Sequence, residues 1–115
     1  MRPLFAILLL VGCVTRIPDI DYSIPPPADW PTLQEKVGYV LSTEDLGKYC
    51  LGRPPRGALG CALTDFSKGL CWIYLATKDP AVLEHERAHC RGYNHVGDVN
   101  HARNNWEQWK KANGK

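Results

Sequence analysis

Three histidines in one eleven-residue stretch, His85, His89 and His95, constrain this chain more than any other feature. The stretch reads His-Glu-Arg-Ala-His-Cys-Arg-Gly-Tyr-Asn-His. Residues four apart on an α-helix project from one face. A helix here therefore sets the His85 and His89 rings side by side, where both can meet one zinc ion at about 2.0–2.1 Å. The flanks carry helix signals. Asp79 can cap free backbone N–H groups, and Pro80 suits the first turn. A helix is predicted over Pro80–Arg91. Gly92 permits a left-handed turn at its end. The chain can then fold back so that His95 supplies a third ligand and a fourth position stays open for water. Glu86, next to His85, lies beside that open side and can take a proton from a water whose pKa the metal lowers. Asp98 is an alternative third ligand; its other role would be to cap the last helix.

His-Glu-x-x-His followed by x-x-Gly-x-x-His is similar to the extended motif of metzincin metallopeptidases. The resemblance covers residues 85–95. It implies a zincin-type peptidase with Zn2+ held by His85, His89 and His95, Glu86 as general base, and a peptide or protein substrate. By the same resemblance the strand before the helix, Cys71–Ala76, is where an extended substrate pairs. The chain departs from the family in two ways. Its only methionine is Met1, which leaves none for the methionine turn beneath the metal, and 20 residues follow His95, too few for a C-terminal subdomain. The expected domain is therefore a minimal zincin-like one. Tyr93 and Tyr74 are candidate hydrogen-bond donors to a developing oxyanion. Glu107 resembles the distal glutamate ligand of another zincin branch.

The N-terminus reads as an address. Met1-Arg2 is positive, and Leu4–Val11 is an apolar run with the length of a signal-peptide core, too short for a bilayer. It ends in Leu10-Val11-Gly12-Cys13, which resembles the lipobox of bacterial lipoproteins. That resemblance implies a signal peptide over 1–12, lipidation of Cys13, and a periplasm-facing protein anchored in the cell envelope. Val14 is not the aspartate that marks inner-membrane retention, which points to the outer membrane. Residues 13–31 hold Pro18, Pro25, Pro26, Pro27 and Pro31, the composition of a stiff polyproline spacer; the alternative is an ordered arm packed on the domain, with Trp30 docking it. Residues 32–115 remain for one domain.

That domain reads as α+β. Strands are expected over Val37–Leu41, Leu59–Thr64 and Cys71–Ala76, the last two forming a hairpin around Phe66–Gly69. A short helix is expected over Thr43–Cys50 with Thr43 as cap, and a loop over Gly52–Gly57. A final helix should run from about Val99 to Ala112, with Val99, Ala102, Trp106 and Trp109 on its core-facing side.

Besides Cys13 there are four cysteines, an even number that suits two disulfides in an exported chain. Six strand residues and twelve helical residues each span about 20 Å. A helix packed back on strand Cys71–Ala76 thus brings Cys90 to Cys71. The hairpin loop sets Thr64, not Cys61, opposite Cys71. The expected pairs are therefore Cys71–Cys90 and Cys50–Cys61.

A formal charge of +2 offers no basic stripe for nucleic acid. Two function classes remain. One is a membrane-anchored, zinc-dependent peptidase or amide hydrolase with Glu86 as base. The other is a non-catalytic envelope lipoprotein, an adaptor or assembly factor, whose zinc braces a small fold.

Overall fold

Leu70–Leu75 alternates in burial, with Cys71, Ile73 and Leu75 inside and Trp72 outside. This is the pattern of a strand with one covered face. In the computed structural model, which describes residues 19–50, 58–98 and 100–115, that strand is the centre of a three-stranded mixed sheet. We label it β3. On one side it pairs in parallel with β1, Gln34–Tyr39; on the other it pairs antiparallel with β2, Gly60–Asp65. Three helices complete the domain: α1 over Thr43–Tyr49, α2 over Pro80–Cys90 and α3 over His101–Ala112. The class is α+β, as the element order suggested.

The local signals around α2 act as expected. Asp79 accepts from Ala81 N at 2.9 Å, and Pro80 opens the helix. Elsewhere the boundaries shift. β1 begins three residues before the expected start, at the polar Gln34. Its extent is set by its register along β3, from Gln34 opposite Leu70 to Tyr39 opposite Leu75. Ser42, not Thr43, caps α1, accepting from Asp45 N at 3.3 Å. Asp98 does not cap α3. The Asn94 side chain does so from the preceding loop, accepting from Ala102 N at 2.8 Å. On α3, Ala102 and Trp106 are buried, whereas Trp109 is half-buried. The signal segment 1–12, Cys13, the Gly52–Gly57 loop and Val99 lie outside the described residues.

The inner face of the sheet packs on α2. Leu33, Cys71, Ile73, Leu75, Val82 and Cys90 form its core. A second cluster is aromatic. The Phe66 ring lies 5.2 Å from Trp30, 4.9 Å from Trp106 and 5.9 Å from Trp109. It seats α3 on the hairpin loop.

The cysteines pair as strand and helix lengths suggested. Cys71–Cys90 ties the start of β3 to the end of α2, with Cα atoms 5.7 Å apart. Cys50–Cys61 ties α1 to β2 at 6.1 Å. Thr64 lies opposite Cys71 in the hairpin register. The first bridge closes the longer loop, 19 residues against 11, and both its cysteines are buried. Replacing Cys71 and Cys90 together by alanine should cost about 3 kcal/mol, more than the same change at Cys50 and Cys61. Urea unfolding of the two double variants checks the order.

One expectation about the sheet is overturned. Strand Cys71–Ala76 was to pair with an extended substrate. As β3 it is flanked on both sides, so its backbone groups are committed to β1 and β2. Among the described residues, the free edges belong to β1 and β2.

Candidate metal centre

His85 and His89 stand four positions apart on α2, and the turn at its end brings His95 back to both. Gly92 makes this return possible. Its φ is +95°, in the region that L side chains avoid. A Cβ there would come within 2.7 Å of Pro26 and 2.9 Å of Trp30. The Tyr93 N–H then reaches the Ala88 carbonyl at 3.1 Å and closes the helix end.

His95 is held by a segment distant in sequence. Ile20 and His95 form an isolated antiparallel bridge. Asp21 N donates to Asn94 O at 2.9 Å, and Val96 N donates to Asp19 O at 2.8 Å. Farther along, Trp30 Nε1 donates to Cys90 O, and Trp106 Nε1 donates to Asp29. The proline-rich stretch was expected to act as a spacer over 13–31. From Asp19 onward it is instead an arm docked on the histidine loop and on α3. Asp21→Pro removes one donor of this pairing. It should weaken metal binding by up to about tenfold, the worth of one hydrogen bond. Chelator competition on the folded variant reads this directly, and an unchanged affinity would show that the arm does not support His95.

The three imidazoles converge. His95 Nε2 lies 3.0 Å from His85 Nε2 and 3.0 Å from His89 Nε2. One ligand atom from each ring falls within 4.8 Å of the others. Two nitrogens bound tetrahedrally to one zinc stand about 3.3 Å apart, so the set is of the right size. Its protonation also fits. His89 Nδ1 lies 3.0 Å from the Tyr93 carbonyl, which can only accept, so Nδ1 carries the proton and Nε2 presents a lone pair. Burial pushes His85 down to about 4, helped by His89 and His95, and burial also lowers His89. His85 and His89 are thus held in the neutral form that metal ligands need. A ring nitrogen offers one proton or one lone pair, so His95 Nε2 cannot make two full hydrogen bonds to its neighbours. A cation shared by three lone pairs satisfies all of them. These residues could hold a metal ion.

Glu86 is 6% exposed. Among the described residues its carboxylate has no hydrogen-bond partner, and its oxygens keep some contact with solvent; burial raises it to about 7. It lies against the edge strand, where a Cβ added at Gly60 would stand 3.3 Å from Glu86 Cγ. Gly60 therefore leaves room for this side chain.

The other candidates separate. Asp98 is not in the three-histidine group, though it lies close enough to favour the charged form of His89. Tyr93 lines a cavity beside His89 and His95. Tyr74 is on the opposite face of the sheet, stacked 4.8 Å from Tyr49. Glu107 pairs with Lys110 at 3.1 Å, on an exposed part of α3. Three contributors carry no motif in the sequence: the Ile20 bridge, the Asn94 cap and Gly60. Only Gly60 leaves a sequence trace, as a glycine that begins a strand. Among the described residues no helix is long and apolar enough to cross a membrane. No family model, curated protein or solved structure matches this chain, so its chemistry rests on its own residues.

Proposed function

We propose that this protein is a zinc-dependent peptidase or related amide hydrolase, anchored through Cys13 in a bacterial envelope membrane, outer rather than inner. One observation carries the reading: a largely buried glutamate, with no hydrogen-bond partner among the described residues, follows directly on the first of three convergent imidazoles. A site that only braced a fold has no use for such a group. Bound zinc would supply Lewis acidity to a water and to the scissile carbonyl.

His85, His89 and His95 would hold that ion and leave one side open. Glu86 would accept the proton of the attacking water and return it to the departing amine. Burial raises the metal-free carboxyl to about 7; a dication at the histidines would draw it back down and favour the carboxylate that accepts the proton. Gly60 leaves room for the methylene stem of that side chain. The free edge of β2, whose Ala62 and Thr64 line the cavity beside the histidines, would pair with an extended peptide. Cleavage of a peptide mixture by the zinc-loaded full chain, followed by mass spectrometry, tests the reading with Glu86→Gln as the matched control. Fragments formed equally by both proteins, or by neither, would remove it.

A further inference from the structure

A cavity of about 200 Å³ opens beside the histidines, between β2, the loop after α2 and the first turns of α3. His89 and His95 form part of its wall. Trp30, Ala62 and the buried Ala102 give it apolar surface. Among the described residues, Asp98 is the only carboxylate that lines it, and no lysine or arginine does.

Two further observations bear on Asp98. Its backbone N–H bonds to the His95 carbonyl at 3.0 Å, so its position is tied to that of a proposed ligand. Its carboxylate has no ion pair or hydrogen bond among the described residues. A wall that is apolar along Trp30, Ala62 and Ala102 and carries one carboxylate at its exposed rim is complementary to a side chain with a methylene stem and a cationic head. His101 also lines the cavity.

We propose that this cavity is the specificity pocket of the site and takes a lysine or arginine side chain of the peptide, with Asp98 as its recognition residue. The proposal rests on the peptidase reading above and names its substrate class. The stem would lie along Trp30 and Ala102, and the head would meet Asp98.

The test uses two five-residue peptides that differ only in arginine or norleucine at one position. Each is titrated into the full chain, with and without zinc, and followed by backbone amide NMR shifts. The arginine peptide should bind about tenfold tighter, the usual worth of a hydrogen bond to a charged group. Shifts should concentrate at Thr64, Ala102 and Asn105. Asp98→Asn should bring the ratio of the two affinities close to one, and Asp98→Arg should favour a glutamate peptide instead. Equal binding of the two peptides, no binding of either, or a preference that survives Asp98→Asn overturns the proposal. The same peptides are also assayed for cleavage. Cleavage without discrimination removes the pocket and keeps the peptidase. Discrimination without cleavage keeps the cation site and removes the peptidase.

Discussion

Glu86→Gln should keep the metal and lower hydrolysis by about 10²- to 10⁴-fold, the usual contribution of a positioned general base. Glutamine has nearly the same shape but cannot accept the proton. Folding stability gives a second, independent readout. In the metal-free protein burial raises the Glu86 carboxyl from 4.5 to about 7. A carboxyl raised on folding makes the unfolded state ionise first, so the native state loses stability as pH climbs from about 4.5 to about 7. Glutamine carries no such cost. The metal-free variant should therefore match the parent near pH 4 and exceed it at pH 8, by an amount on the order of a few kcal/mol. Urea unfolding at the two pH values measures this. A variant that loses activity while gaining stability marks a residue kept for chemistry. One that loses stability at pH 8 would mark Glu86 as a structural group and favour the non-catalytic reading.

His85→Ala and His95→Ala should each weaken zinc binding by two to three orders of magnitude. Zinc sites built from side chains bind with free energies of about 10 kcal/mol or more, and each variant removes one of three ligands. The two substitutions probe different supports. His85 and His89 stand on α2, whose end is tied to β3 by Cys71–Cys90. His95 stands on a loop that the Asp19–Asp21 segment holds in place. Equal losses would show that the loop is as well formed as the helix. Elemental analysis and chelator competition read both. The competing ligand assignment predicts the reverse pattern, with metal kept in His95→Ala and lost in Asp98→Asn.

Much of the site was legible because its signals are local. A four-residue helical spacing, a cap at Asp79 and a glycine at 92 act within a few residues of themselves. The structure has the helix, the positive φ and the convergence of His85, His89 and His95. The bridge between Cys71 and Cys90 was legible for a similar reason, since strand and helix lengths are fixed by backbone geometry. The place of β3 was not legible. Its position in the middle of the sheet depends on β1, which begins with Gln34, Glu35 and Lys36. No hydrophobic pattern announces those residues as strand. They are strand because β3 offers them partners.

The arm shows the same division. Proline content alone predicts an extended spacer, and the backbone between Pro25 and Pro27 has few groups with which to say otherwise. What docks it is aromatic and polar: Trp30 against Phe66 and Cys90, and Asp29 against Trp106 and Lys110. The hydrogen bonds and ion pair join residues 60 to 81 positions apart, and the Trp30–Phe66 contact also joins separate parts of the chain, beyond the reach of any local signal. The sequence by itself determined the helix, its turn, the three imidazoles and the carboxylate beside them, because helical periodicity and glycine conformation are properties of short segments. Only the tertiary structure decided that the arm braces His95, that β2 is the free edge beside the site, and that Asp98 lines a cavity instead of capping α3. Those outcomes depend on which distant surfaces exclude water together, and no spacing within a segment encodes that.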